Sequence, residues 1–362
     1  MLRVAIDVGP THGRRTGIGN AVAWMVDALA AEADLELVRY LTSIRARMRP
    51  GERRLPLPAA LALRSWSRRS VPMDRWLGHA DVVHGTNYVV PPARVPRAVT
   101  VYDCWFLDHP EDAEPDVRRA AAALRRAVAD GAHVVTSSDA TSRRVRDLLG
   151  TDRVHTVLLG PPLADHSSST EHEPSGLPDV SSFVLALGTI ERRKNLPTLV
   201  DAFGRLAREH DAVRLVIAGA AGNDVAAVDR AIDRLPNGVA GRVVRTGVVD
   251  GATKRWLLTH ARALAYPSLD EGFGFPILEA QQAGTPVVAS TAGSIPQVAG
   301  AAALLSPARD AEALAANLHW IVTDDDMHAK LVRRGHANVA RFSWAATAEQ
   351  YHSMYRELVE HV

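Results

Sequence analysis

Short runs of β-branched residues alternate with longer segments of helical spacing along the whole 362-residue sequence. The clearest predicted strands are Val4–Val8, Ala98–Tyr102, Phe183–Leu187 and Ala263–Tyr266. No tight hairpin signal joins neighbouring runs, so the pattern predicts parallel sheets whose strands are linked by crossover helices. Because the rhythm occurs once in each half, we expect an α/β protein with two Rossmann-like, doubly wound parallel-sheet domains.

A segment of linker composition separates the two halves. Residues 161–182 carry four prolines and six serines and lack apolar periodicity. We predict an N-terminal domain over 1–165, a linker over 166–182 and a C-terminal domain over 183–343. The last helix, 344–362, is predicted to pack back on the N-terminal domain. Open parallel sheets bind ligands beyond the carboxyl ends of their strands, so we expect the two domains to face each other across a binding cleft.

Composition excludes several classes of protein. A net charge of +1 leaves no overall field for nucleic acid. Cys104 is the single cysteine, which excludes an internal disulfide and most cysteine-based metal sites. The run Asp324–Asp326 is typical of a helix start rather than of a metal site. No apolar run is long enough to span a bilayer, and the stretch after Met1 is too short for a signal peptide, so we expect a cytoplasmic protein.

The strongest local signal lies where the predicted strand Ala263–Tyr266 gives way to a helix. Gly272 and Gly274 let the backbone approach a ligand closely. Pro276 suits the first helical position, where its missing N–H costs nothing. A helix N-terminus presents unpaired N–H groups, so this segment predicts a phosphate-binding site.

Two glutamates, Glu271 and Glu279, lie on either side of this predicted phosphate site in the sequence. Carboxylates repel phosphate, so the partners that suit them are the hydroxyl groups of a sugar and a ribose. An anion with hydroxyl groups on both sides describes a nucleoside-diphosphate sugar. The alternative interpretation is a solvated loop glutamate and a second glutamate that only favours the helix start.

A basic cluster follows the predicted strand Phe183–Leu187. Arg193 offers a bidentate fork and Lys194 a point charge, the two means by which proteins neutralise phosphate. Lys194 is one of only three lysines in the chain, so it stands out from the arginine-rich background. The alternative is a solvated basic loop.

Together these segments resemble the GT4 family of retaining glycosyltransferases with the GT-B fold (glycosyl transferases group 1). The segments that carry the resemblance are Gly188–Asn195, Glu271–Glu279, Gly284–Ser290, Thr16–Asn20 and His84–Pro91. The first three are specific to the family, whereas the two N-terminal segments are individually weak.

The resemblance implies a role for each matching residue. The implied donor-binding residues are Glu279, Gly272, Phe273, Gly274, Gly17, Gly19 and Tyr102. The implied catalytic residues are Glu271, Asp103, Arg193 and Lys194. The resemblance also implies a nucleoside-diphosphate sugar as donor, and GDP-mannose is the first candidate. It implies no metal or other cofactor. The acceptor would be a glycan, a lipid-linked molecule or a small molecule, and the leaving diphosphate would help to take its proton.

Two departures from the family pattern keep other functions open. Tyr102 precedes Asp103 where many members have histidine, and Thr189 stands where arginine is common. A non-catalytic nucleotide-sugar-binding protein of the same fold is therefore one alternative. A GT-B-shaped epimerase or phosphorylase is another.

The stretch Arg45–Arg75 carries a local excess of positive charge. It contains nine arginines against Glu52 and Asp74, interleaved with apolar residues such as Trp66 and Trp76. This pattern predicts a peripheral contact with an anionic membrane at its inner face. The alternative is a solvated, arginine-rich insertion.

Overall fold

The chain folds into two compact units. The computed structural model describes residues 1–13, 16–68, 71–113, 115–163 and 182–360. Unit 1 comprises Met1–Gly160 and Phe342–Val362, and unit 2 comprises Pro161–Arg341. Each unit has its own parallel sheet and its own hydrophobic core.

Unit 1 contains a seven-stranded parallel sheet. Its strands are β1 (Leu2–Asp7), β2 (Leu35–Leu41), β3 (Arg53–Arg54), β4 (Val82–Gly85), β5 (Arg97–Val101), β6 (His133–Thr136) and β7 (Val154–Thr156). They lie in the order β3-β2-β1-β4-β5-β6-β7. Chain order runs outward in opposite directions from β1 and from β4, so the topological switch point lies between these two strands.

The helices of unit 1 lie between its strands in sequence. They are α1 (Gly17–Leu29), α2 (Ala59–Trp66), α3 (Trp105–Asp108), α4 (Pro115–Ala129) and α5 (Asp139–Leu149). The Thr16 hydroxyl accepts a hydrogen bond from the backbone N–H of Gly19 and so caps α1. Helix α2 packs against α4, and Trp66 and Leu124 on these helices belong to the same buried core.

Unit 2 repeats the design with six parallel strands. They are β8 (Phe183–Leu187), β9 (Arg214–Ala218), β10 (Val243–Gly247), β11 (Ala263–Tyr266), β12 (Val287–Ser290) and β13 (Ala303–Ser306). Their order is β10-β9-β8-β11-β12-β13, which places the switch point between β8 and β11. The prediction of two doubly wound parallel-sheet domains is confirmed.

The helices of unit 2 are α6 (Leu196–Leu206), α7 (Val225–Asp233), α8 (Gly251–His260), α9 (Phe275–Gln282), α10 (Ile295–Ala299), α11 (Ala311–Thr323) and α12 (Asp325–Val339). The Asp324 carboxylate accepts a hydrogen bond from the backbone N–H of Met327 at 2.8 Å and caps α12. The acidic run Asp324–Asp326 therefore begins a helix, as the sequence predicts.

The last helix, α13 (Trp344–Glu360), belongs to unit 1, where it packs on α1 and β4. Buried His84 on β4 contacts the Tyr355 hydroxyl through Nδ1 at 2.6 Å and the Thr100 hydroxyl through Nε2 at 2.8 Å. Burial lowers the pKa of His84 to about 3. His84 therefore links α13 to the sheet through these two contacts.

Several elements lie outside the strand and helix pattern of the sequence. Strand β3 has only two residues at the sheet edge, and α2 lies in an arginine-rich stretch that masks its apolar face.

The predicted linker, 166–182, falls outside the described residues except for Ser182. Among the described residues, no helix combines the length and the apolar character needed to cross a membrane.

Candidate active site

The topology of unit 2 brings two distant segments to one edge of the sheet. The loop after β8 carries Arg193 and Lys194, and the loop after β11 carries Glu271. Strands β8 and β11 are neighbours at the switch point, so both loops leave the carboxyl ends of adjacent strands. In open parallel sheets this is where ligands bind.

Glu271 lies between the two cations. Its Oε2 accepts a hydrogen bond from Arg193 Nη1 at 2.5 Å, and its Oε1 accepts one from Lys194 Nζ at 2.6 Å. The hydroxyl of Ser268 donates to Oε1 at 2.7 Å, and Lys194 also donates to the Tyr266 hydroxyl at 2.9 Å. We call Arg193, Lys194 and Glu271 the ionic cluster.

Burial makes the charges of the ionic cluster interdependent. Burial by itself would raise the pKa of Glu271, but the charges of Arg193 and Lys194 and the hydrogen bonds it accepts lower that pKa to about 2. Burial lowers the pKa of Lys194, and Glu271 opposes that change. Removing one member of such a group leaves an uncompensated buried charge.

The loop after β12 also contacts the backbone beside the ionic cluster, and the sequence did not predict these contacts. Ser294, which follows β12, donates its backbone N–H to the Glu271 carbonyl at 3.0 Å and its hydroxyl to the Phe273 carbonyl at 2.8 Å. A Cβ on Gly293 would lie 2.6 Å from the backbone of Glu271. The recognisable signal was the Gly-Ser pair after a buried strand, which indicates a close backbone approach.

The glycine loop leads into α9 as the sequence predicts. Gly274 has a φ of +105°, a conformation that favours glycine, and Phe273 beside it is buried. Pro276 lies in the first turn of α9. The loop Gly272–Gly274 thus passes from the ionic cluster to the N-terminus of a helix, where N–H groups lack partners within the helix.

Glu279, on the same helix, has a cationic partner that sequence reasoning missed. Lys254 on α8 donates to Glu279 Oε1 at 2.7 Å. Two of the three lysines in the chain therefore pair with the two glutamates of the predicted donor motif. The rarity of lysine was the signal that could have found Lys254.

The remaining predicted site residues belong to unit 1. Tyr102 is buried directly after β5, and Asp103 Oδ1 accepts the backbone N–H of Trp105 at 3.1 Å at the start of α3. Thr16 caps α1, so Gly17 and Gly19 lie in the first turn of this helix. Gly19 is buried, whereas a Cβ on Gly17 would meet open space.

Two groups of side chains have the composition of metal ligands. One is Glu209, His210 and His319, and the other is His109, Glu111 and Asp112, with ligand atoms within 4.8 Å of one another in each group. Neither group contains a predicted site residue. The ionic cluster itself holds two cations and one carboxylate, a set that suits an anionic ligand better than a metal ion.

Comparisons with known proteins identify similar sequences and a similar fold. The family model for glycosyl transferases group 1 matches residues 167–337. The chain is 30% identical to the O-antigen chain mannosyltransferase B of Escherichia coli over 76% of this chain and 74% of that protein. It is 31% identical to a phosphatidyl-myo-inositol mannosyltransferase of Mycolicibacterium smegmatis over 61% of this chain and 56% of the relative. The fold is similar to that of a sucrose-phosphate synthase from Thermosynechococcus elongatus, with a TM-score of 0.73, 19% identity and full coverage of both chains.

Proposed function

The chain belongs to the glycosyl transferases group 1 family and is a GT-B glycosyltransferase, and on that premise we propose that it moves a hexose from a nucleoside-diphosphate sugar to a hydroxyl group. The transfer retains the configuration of the anomeric carbon. Unit 2 binds the donor, and unit 1 binds the acceptor.

The ionic cluster is the observation that carries this proposal. Arg193 and Lys194 stabilise the negative charge that develops on the leaving diphosphate. Glu271 holds both cations in place and presents its carboxylate to the hydroxyl groups of the transferred sugar. The backbone of Phe273 and Gly274 adds N–H groups to the diphosphate cradle.

The reaction needs no nucleophile from the protein. The bond between the anomeric carbon and the diphosphate oxygen breaks, and the acceptor oxygen bonds to that carbon on the same face of the sugar. The acceptor proton passes to the leaving diphosphate. The chain supplies positioning and charge stabilisation.

GDP-mannose is the donor we propose. Both relatives described above are named mannosyltransferases, which supports mannose as the sugar. Glu279 binds the ribose hydroxyl groups, and Lys254 holds the Glu279 carboxylate in place through their 2.7 Å hydrogen bond. UDP- and dTDP-sugars are the competing donors.

Thermal unfolding with GDP, UDP, dTDP and ADP tests the donor site. Ligand at about 100 times its Kd stabilises a folded protein by about 2.7 kcal/mol. We expect GDP to raise the unfolding midpoint of the wild type and to have little effect on Glu279→Ala. Glu312→Ala, which changes an exposed glutamate on α11, is the matched control and keeps the shift.

Release of free mannose from GDP-mannose in the same samples tests catalysis. Slow release by the wild type supports the transferase, because water can replace the acceptor. Tight nucleotide binding without sugar release or transfer to any acceptor would favour the non-catalytic binding protein. A shift with UDP or dTDP instead of GDP would reassign the donor.

We also propose that α2 and α4 of unit 1 form a contact surface for anionic lipid. Arg64, Arg68, Arg118 and Arg119 line a cavity of about 470 Å³, and Leu61 on α2 is 54% exposed. Among the described residues, the side chains of Arg64, Arg68 and Arg118 have no hydrogen bond or ion pair, so their charges are free to attract an anionic surface.

Some arginines of the basic stretch Arg45–Arg75 donate hydrogen bonds within unit 1, so they are less available to an anionic surface. Arg49 donates to the Thr11 carbonyl at 2.9 Å, and Arg54 donates to the carbonyls of Ser43 and Ala46, each at 2.7 Å. These arginines hold the chain around β3 together, so the membrane contact depends on α2 and α4.

Sedimentation with phosphatidylglycerol vesicles tests this surface. Changing Arg64, Arg68 and Arg118 to Ser lowers the sedimented fraction. A control variant with Ser at Arg230, Arg309 and Arg333, which are exposed in unit 2, removes the same charge and keeps the sedimented fraction. Equal losses in the two variants, or none in either, would contradict the contact.

A further inference from the structure

One of the two groups with the composition of metal ligands lies where two helices of unit 2 meet. Glu209 and His210 follow the end of α6, and His319 lies on α11. Helices α6 and α11 pack against each other, and both contribute to the same buried core. The contact between the helices therefore brings together His210 and His319, which are 109 positions apart in the sequence.

The ligand atoms of this group lie at separations that a metal ion can bridge. His210 Nε2 lies 3.1 Å from His319 Nδ1, which in turn lies 3.0 Å from Glu209 Oε2. All three atoms lie within 4.8 Å of one another. Zinc bonds of about 2.0–2.1 Å at tetrahedral angles place two ligand nitrogens about 3.3 Å apart. Both measured separations are close to that value.

Hydrogen bonds alone satisfy this arrangement poorly. His319 Nδ1 lies within hydrogen-bond distance of both His210 Nε2 and Glu209 Oε2, but it carries at most one proton. That proton points to one of the two neighbours and leaves the other without it. If His210 donates instead, the lone pair of His319 Nδ1 faces the Glu209 carboxylate. A cation accepts a lone pair from all three atoms at once.

The donor set favours a transition-metal ion. Imidazole nitrogens with one carboxylate suit Zn²⁺, whereas Mg²⁺ and Ca²⁺ take oxygen ligands. The side chains of His319 and Glu209 are 45% and 65% exposed, so an ion from solvent reaches them. Three protein ligands leave the fourth tetrahedral position to a water molecule.

Arg242 fixes the backbone that carries two of the three ligands. Its Nη2 donates to the Ala207 carbonyl at 2.6 Å, and its Nη1 donates to the carbonyls of His210 and Asp211 at 2.8 and 2.9 Å. The guanidinium group is thus directed at carbonyl oxygens of the segment after α6. A segment that is already ordered loses less entropy when it binds an ion.

We propose that Glu209, His210 and His319 bind one Zn²⁺ ion, which joins the end of α6 to α11 and stabilises unit 2. The proposal goes beyond the proposed function and does not depend on it. Arg193 and Lys194 of the ionic cluster precede α6, whereas this site follows it. A helix of 11 residues spans about 16 Å, so the ion lies away from the ionic cluster and takes no part in sugar transfer.

Titration calorimetry with ZnCl₂ on the full chain, without an affinity tag, tests the site. We expect Zn²⁺ to bind the wild type. His210→Ala and His319→Ala each weaken binding at least about tenfold, since even the loss of a group that only supports a metal ligand costs about that much. His336→Ala, which removes an exposed histidine from α12, leaves binding unchanged. His109→Ala, in the other group of this composition, also leaves it unchanged.

Thermal unfolding with and without ZnCl₂ is the second measurement. We expect Zn²⁺ to raise the unfolding midpoint of the wild type and of His336→Ala by several degrees, and to have little effect on His319→Ala. The midpoint without zinc shows whether each variant folds. Glu209→Gln keeps the shape of an exposed side chain and also weakens zinc binding, so the test remains decisive if a histidine variant unfolds.

Three results would overturn the zinc site. The wild type binds no Zn²⁺, or the folded variants at positions 209, 210 and 319 bind it as tightly as the wild type does. The third result is a loss of zinc binding in His109→Ala with none in His319→Ala, which would place the ion in unit 1.

Discussion

Glu271 in unit 2 and Asp7 in unit 1 are carboxylates at the switch points of their sheets, but their surroundings move their pKa values in opposite directions. Burial favours the neutral form of both. At Glu271, the charges of Arg193 and Lys194 overcome burial and lower the pKa to about 2. At Asp7, burial dominates over the single backbone hydrogen bond from Gly9 and raises the pKa to about 7.

This difference separates two carboxylates that occupy corresponding positions in the two sheets. The paired carboxylate of Glu271 stays ionised at any working pH, so unit 2 presents a fixed arrangement of charge, which suits a diphosphate. The carboxyl of Asp7 has no charged partner, and burial raises its pKa to about 7, so its charge changes near neutral pH. The fold places the site, and the cations placed around the carboxylate decide its chemistry.

The largest expected effect comes from removing the paired charge in Glu271→Gln. Gln cannot neutralise Arg193 and Lys194, and it presents no charge to the transferred sugar. We expect kcat for sugar transfer to fall by about 10²–10³, a loss of about 3–4 kcal/mol of transition-state stabilisation. Nucleotide binding is kept, because both cations remain available to the diphosphate. Steady-state kinetics and nucleotide titration measure the two effects separately.

Glu271→Asp and Glu312→Gln are the controls for this prediction. Glu271→Asp keeps the charge and retains more activity than Glu271→Gln, whereas Glu312→Gln changes an exposed residue and keeps full activity. A Glu271→Gln variant with wild-type kcat would show that the ionic cluster only stabilises the fold.

The next effect concerns the unpaired carboxyl and depends on pH. The folded protein holds the Asp7 proton more tightly than the unfolded chain does, so the wild type loses stability as pH rises from about 4 to about 7. Asp7→Asn resembles the protonated form and avoids this loss. Because the residue is partly exposed, we expect the variant to gain about 2 kcal/mol relative to the wild type across this window.

Urea unfolding at several pH values measures this difference. A gain that grows with pH and levels off above about 7 supports an unpaired carboxyl. A difference that does not change with pH would show that Asp7 has a normal pKa, and the contrast with Glu271 would then fail.

The sequence predicted unit 2 in more detail than unit 1 because its site residues lie in short contiguous motifs. Arg193 and Lys194 are adjacent, and Glu271 precedes the helix of Glu279 by a few positions. In unit 1, the residues around the switch point, such as Asp7 and Trp66, are far apart in the sequence and share no spacing. Such a set becomes visible only when the strand order places β1 beside β4.

Partners that act through packing were not predicted, because the weak signals at their positions do not say which residue each of them contacts. Lys254 reaches Glu279 from another helix, and Ser294 supports Glu271 from the loop after β12. His84 belongs to a segment that carries the family resemblance, yet its hydrogen bond to Tyr355 depends on a contact between β4 and the last helix. The strands and helices of regular period were predictable, because their pattern is local.

A smaller effect is expected at His84, a second buried titratable group of unit 1 without a charged partner. Burial lowers its pKa to about 3, so the folded protein excludes a proton that the unfolded chain binds below about 6.5. The free energy of unfolding therefore decreases as pH falls. At about one pH unit below 6.5, His84 accounts for about 1.4 kcal/mol of this decrease. His84→Gln lowers stability at neutral pH but flattens the acid slope, which urea unfolding measures. An unchanged slope would show that other groups control the loss of stability at acid pH.

The smallest effect comes from the partly exposed pair of Lys254 and Glu279. Lys254 is the more exposed partner, and ion pairs of this kind contribute little on their own. If Lys254 acts only by holding the Glu279 carboxylate, Lys254→Met weakens GDP binding about threefold, whereas Glu279→Ala abolishes the nucleotide-induced thermal shift. Titration calorimetry at low and high salt measures the loss, which shrinks as salt screens the pair. Lys330→Met, at the remaining lysine, is exposed on α12 and leaves binding unchanged. A loss in Lys254→Met as large as that in Glu279→Ala would instead place Lys254 in direct contact with the nucleotide, and unit 2 would then hold three cations for the diphosphate rather than two.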